Sequence, residues 1–156
     1  MLKNINPLLT PELLAALRAM GHGNTIAIVD ANFPASSPPS STNPLLANPP
    51  VIRLAGATAT QAADAILSVL PLDDFVARDQ AARCMAVVGD PEAEVEIMGE
   101  FRALVDRHEG GEGRFALGKV ERFAFYEEVK RAFVIVVTDE RRLYGNLLLM
   151  KGVIKG

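Results

Sequence analysis

The spacing of apolar positions changes several times along the chain, and each change predicts an element. Leu13, Leu14, Leu17 and Met20 recur at helical spacing behind Thr10-Pro11-Glu12, which supplies an N-cap, a first-turn proline and a first-turn acid. Gly21 and Gly23 stop that helix. Thr25 to Val29 is a β-branched run closed by Asp30 and reads as the first strand. A short strand is predicted at 51–54. It is followed by a helix capped by Thr58 or Thr60 that reaches Leu70, with Ala62, Ala63, Ile66 and Leu67 inward. Residues 84–88 read as a strand and 91–107 as an acidic helix with Val95, Met98, Phe101, Leu104 and Val105 on its apolar side.

A short strand at 117–121 precedes a helix at 123–131, supported by Glu127 and Arg131 four apart. The run 133–138 is continuously apolar and β-branched, as in a central strand covered on both faces. Residues 147–154 offer a last strand, interrupted by Gly152. Helices alternating with strands predict an α/β fold: a three-layer sandwich with a mixed, mainly parallel central sheet flanked by helices. At 156 residues the chain is expected to form a single domain over 1–156. Residues 35–50, with five prolines, four serines and no charge, read as a loop or floppy insertion.

Charge narrows the class of partner. Sixteen Lys and Arg against nineteen Asp and Glu give a net charge of −3. Residues 51–106 hold four basic and ten acidic groups, and 107–156 hold ten and seven. Nothing concentrates basic charge enough to make nucleic acid the main partner. No apolar run is long enough to span a bilayer. The start of the chain lacks the pattern of a signal peptide. Cys84 is the one cysteine, so no intrachain disulfide forms, and a reducing, cytoplasmic location is expected. Cys84 reads as a packing residue of its strand.

Few residues remain for chemistry. His22 sits between two glycines on the turn from the first helix to the first strand. Imidazole titrates near neutrality, which suits proton transfer, and flanking glycines let a ligand approach; a polar residue in a helix-ending turn is the plainer reading. Asp30 ends the first strand, where ligands gather in α/β sheets, though an Asx turn also accounts for it. His22 and Asp30 are eight residues apart, and an intervening strand sets them roughly 20 Å or more from each other. Either the strand is shorter than it reads, or one pocket draws the two groups from different subunits.

Arg122 opens a helix, against the helix dipole, and shares a face with Tyr126. Phe123 and Phe125 read as core anchors rather than ligand-stacking platforms. Tyr144-Gly145-Asn146 offers hydroxyl and amide groups beside a tight backbone, or simply a turn into a strand. His108 looks like a solvated helix end. No zinc spacing, phosphate loop or nucleophile elbow is present.

These motifs together resemble a known family. Met20-Gly21-His22-Gly23-Asn24, then Val29-Asp30-Ala31-Asn32-Phe33-Pro34, is similar to the signature of the fucose mutarotase and ribose pyranase family. Arg122-Phe123-Ala124-Phe125-Tyr126-Glu127 and Tyr144-Gly145-Asn146 follow in the expected order. Met1-Leu2-Lys3 and Lys151-Gly152-Val153 match as well, so the resemblance covers nearly the whole chain. It implies a cofactor-free, metal-free interconversion of sugar anomers. It also implies an α/β fold assembled into ring-shaped homo-oligomers, commonly decamers, with pockets at subunit contacts. By resemblance His22 is the proton donor, and Asp30, Arg122, Tyr144, Gly145 and Asn146 hold the sugar. The Arg-Phe-Ala-Phe-Tyr-Glu stretch looks like the fucose branch. A ribose-type pyranase and a non-catalytic sugar-binding module are the alternatives. The loop at 36–50 is longer and richer in proline than the family pattern.

Overall fold

The computed structural model describes residues 2–35, 49–111 and 113–155. Among the described residues ten elements follow one another: α1 (Pro11–Ala19), β1 (Thr25–Val29), β2 (Val51–Leu54), α2 (Ala59–Leu67), β3 (Ala82–Met85), α3 (Glu96–His108), β4 (Leu117–Val120), α4 (Arg122–Val129), β5 (Val134–Thr138) and β6 (Leu147–Met150). Most of the proline-rich stretch expected at 35–50 lies outside the described residues.

Local chemistry sets the helix ends. The Thr10 side chain accepts the Leu13 N–H and Pro11 opens α1. At its other end Lys151 Nζ donates to the Leu17 and Met20 carbonyls at 2.8 and 2.6 Å, where a cation also suits the helix dipole. Thr58 and Gln61 form a reciprocal capping box at α2. α3 starts later than the sequence pattern predicts. Lys119 Nζ takes the carbonyls of Glu92 and Ala93 at 3.0 and 3.1 Å, so the stretch after Pro91 satisfies its backbone without a helical turn.

The six strands form one sheet in the order β2-β5-β1-β6-β3-β4. Neighbours are parallel except where β6 lies antiparallel between β1 and β3. α1, α2 and α3 cover one face, where Leu13, Leu17, Ile66, Met98 and Phe101 meet Ile26, Ile28, Val134 and Leu147. α4 covers the other, with Phe125 and Val129 against Ala27, Met85, Val137 and Leu148. This is the three-layer arrangement predicted by the alternation of elements. β5 is buried along its whole length, as its unbroken apolar run requires.

Three local expectations need correction. Phe123 is 69% exposed, whereas Phe125 alone of that pair is a core anchor. Glu127 pairs with Lys130 at 2.6 Å, not with Arg131. His108 is held by Asp64 at 2.7 Å, with its side chain 19% exposed, instead of standing in solvent. Cys84 is fully buried, and burial pushes its thiol up to about 11, which keeps it inert.

Candidate functional site

Because β6 runs against its neighbours, its beginning lies at the same end of the sheet as the carboxyl ends of the other strands. Asp30 leaves β1 there and Asn146 enters β6 there. Their side chains close a reciprocal pair: Asn146 Nδ2 donates to Asp30 Oδ2 at 2.7 Å, and Asn146 Oδ1 accepts the Asp30 N–H at 3.1 Å. The other carboxylate oxygen accepts the Asn32 N–H at 3.0 Å, so Asp30 also makes the expected Asx turn. Burial pushes the Asp30 carboxyl above its ordinary value. The Asn146 amide and the Asn32 and Phe33 N–H groups oppose that shift, while nearby Glu140 adds to it.

This pair sits at the base of a cavity of about 220 Å³ whose lining includes Arg122, Tyr126, Tyr144, Phe33 and Met85. Arg122 begins α4, and Glu121 offsets the dipole mismatch by accepting the Phe123 and Ala124 N–H groups. Its Nε donates to the Tyr126 hydroxyl at 2.9 Å. Tyr144 adopts a left-handed backbone (φ 64°) and its hydroxyl accepts the Val88 N–H at 3.2 Å. A non-glycine residue holds such a conformation only where its surroundings impose it. Gly145 follows: an added Cβ would meet Glu140 Cγ at 2.7 Å and Ile97 Cδ1 at 3.3 Å. Glu140 is itself buried and gripped by Arg142 at both oxygens.

The structure thus brings Asp30, Arg122, Tyr144 and Asn146 around one cavity, with Gly145 packed behind it. His22 is not among them. It lies at the opposite end of β1, whose five residues span about 17 Å. There its Nε2 stands 3.0 Å from Oδ2 of Asp73, a carboxylate 2% exposed, while the imidazole remains about half exposed. The Phe75 ring lies 5.4 Å from the imidazole, and the Phe75 N–H donates to the other Asp73 oxygen. Sequence reasoning missed Asp73. The only signal was an acid two residues before Phe75, an Asx-turn spacing, and nothing linked it to a histidine 51 residues away. It also missed Phe33 and Met85 as cavity walls, because apolar residues at strand ends read as core.

The cavity can hold a small polyol. Its lining combines carboxylate, amide, hydroxyl and guanidinium groups, which suit hydroxyls, with apolar side chains, which suit carbon. Among the described residues no helix is long and apolar enough to cross a membrane.

Comparison with known proteins places the chain in a family. Residues 3–154 match the RbsD / FucU transport protein family. The human protein named fucose mutarotase is 43% identical over 155 residues, covering 98% of this chain and 94% of its own. The structure of FucU from Bifidobacterium longum superimposes with a TM-score of 0.84 at 37% identity, over 98% of this chain and 100% of the other. The fucose mutarotase of Streptococcus pneumoniae, solved in complex with L-fucose, gives a TM-score of 0.80 at 33% identity, over 99% and 100%. With a family match over residues 3–154 and relatives 33–43% identical over nearly the whole chain, the chain belongs to the RbsD / FucU family.

Proposed function

We propose that this protein is a fucose mutarotase, an isomerase that interconverts the α and β anomers of L-fucose. The observation that carries the reading is the buried Asp30 carboxylate, oriented by Asn146 in a cavity edged by Arg122 and Tyr144. The relatives named above act as the second support.

Mutarotation needs one proton removed and one delivered. Asp30 takes the proton of the anomeric hydroxyl as the bond from C1 to the ring oxygen breaks and the C1 carbonyl forms. An imidazolium gives its proton to the departing ring oxygen. Rotation about C1–C2 presents the other face of the aldehyde, and the steps run in reverse. No electrons leave the sugar, and acid–base help of this kind contributes typically about 10²–10⁴-fold. Arg122 and Tyr144 orient the remaining hydroxyls.

The proton donor is His22 of a neighbouring subunit, since within one chain a whole strand separates His22 from Asp30. One subunit then offers its imidazole end and the next its cavity. Unlike surfaces that meet head to tail close into rings when the rotation permits, and a decamer is the assembly we assign. Exposed Phe75 at the imidazole end, and Val88 and Leu143 at the cavity rim, support such a contact. Residues 1–156 act as one mutarotase domain, and the unpaired, buried Cys84 suits the cytoplasm.

Exchange NMR on equilibrated fucose tests this. Addition of the protein speeds anomer exchange, and His22→Ala abolishes the gain while the assembly stays intact. Binding of fucose without any acceleration would move the protein to the class of sugar-binding modules.

A further inference from the structure

The cavity lining mixes polar and apolar side chains, and where the apolar ones stand bears on which sugar it selects; the inference rests on the mutarotase reading. Asp30 and Asn146 occupy the ends of neighbouring strands. Met85 ends β3, on the far side of β6, and its N–H donates to the Asn146 carbonyl at 3.3 Å. It therefore stands two strand spacings, about 10 Å, from Asp30. Its side chain is nearly buried, and it lines the same cavity as Phe33 and Val88. Phe33 is fixed edge-on to Tyr126 and Phe125, with ring centroids 5.3 and 6.2 Å away. None of these three side chains carries a strong hydrogen-bonding group.

A 6-deoxyhexopyranose is itself two-sided. Its hydroxyls need polar partners, but its methyl carbon hangs on C5, which is bonded to the ring oxygen. That oxygen is protonated when the ring opens. An apolar wall for the methyl must therefore begin beside the reacting groups, and Met85 begins beside Asn146. A hydroxyl on the same carbon would lose water there and gain no partner.

We propose that Met85, in the cavity that Phe33 also lines, is the specificity-determining contact for carbon six, so that the cavity selects 6-deoxyhexoses over hexoses that carry a hydroxyl on that carbon. The thioether adapts its shape to a methyl group without offering a strong hydrogen bond.

Exchange NMR with three sugars tests the assignment: L-fucose, L-galactose, which adds only the hydroxyl, and D-arabinose, which has the same ring without carbon six. The wild-type kcat/KM for L-fucose should exceed the other two by about ten- to a hundredfold. Met85→Gln should lower the L-fucose value about tenfold, raise L-galactose and leave D-arabinose unchanged; Met85→Leu should keep the wild-type order. Equal handling of L-fucose and L-galactose by the wild type would overturn the proposal, whether or not Met85→Gln folds. So would an equal loss on all three sugars in a folded Met85→Gln, because that would mean contact with the ring and not with carbon six. Absence of any wild-type exchange with L-fucose would instead remove the mutarotase reading, and this inference with it.

Discussion

His22 and Asp73 form a pair across 51 residues of sequence, with Nε2 3.0 Å from Oδ2. An ionised carboxylate only accepts hydrogen bonds, so opposite one Nε2 carries the hydrogen, and in the proposed mechanism Nδ1 is the nitrogen that faces the sugar. Asp73→Asn keeps an acceptor for the Phe75 N–H, but its amide can donate to the ring and favour the opposite tautomer. Anomer exchange should fall at least about tenfold. Imidazole ¹⁵N shifts should show the hydrogen moving to Nδ1, and circular dichroism should be unchanged. Wild-type exchange in Asp73→Asn would reduce the pair to a structural contact.

The pH dependence follows from Asp30. Burial holds its carboxyl above the ordinary 3.8, and the general base we propose it to be must be ionised to act. The acid limb of kcat/KM should therefore lie above 3.8. Asn146→Ala removes a hydrogen bond to the charged form and should push the limb higher. For stability, the folded chain binds this proton more tightly than the unfolded chain. The contribution is complete below 3.8 and is lost as pH rises through the raised value. Urea titrations of wild type and Asp30→Asn across that window measure the loss, which the variant should not show.

A site shared between subunits predicts complementation. His22→Ala and Asp30→Asn should each be inactive alone. Unfolded together in equal amounts and refolded, they should regain about one quarter of wild-type sites, since that fraction pairs an intact cavity with an intact imidazole. No recovery in assemblies shown to be mixed would place both groups in one subunit.

Gly152 approaches the backbone of the segment that carries Asp73. An added Cβ would lie 2.6 Å from the Leu72 carbonyl carbon and 2.7 Å from Asp73 Cα, with no flexible side chain able to yield. Gly152→Ala should cost about 1–3 kcal/mol in denaturant unfolding. It should also lower kcat more than it raises KM, because it moves the partner of His22 and leaves the cavity in place.

The sequence was most legible where one residue's chemistry is local. Thr10-Pro11, the apolar run of β5 and the glycines around His22 each announced their element. The separation of His22 from Asp30 was legible too, because a strand has a fixed rise per residue. Long-range pairing was not. Nothing in Pro71-Leu72-Asp73 discloses that it bonds beside Lys151, and nothing near Glu92 discloses that Lys119 replaces a turn of helix there. Strand ends were misjudged for the same reason: residues 84–88 look uniformly apolar, yet Val88 has left the sheet and is 58% exposed.

β6 meets both halves of the proposed chemistry. Asn146 before it grips Asp30, and Lys151 after it caps α1 and bonds the turn beside His22. Side chains alternate along a strand, so these two ends are matched in parity as well as in distance. One inserted residue would turn one anchor to the wrong face of the sheet, whereas two would restore orientation and misplace only the reach. The reversed strand therefore works as a ruler with a phase, and tolerated changes in its length should come in pairs.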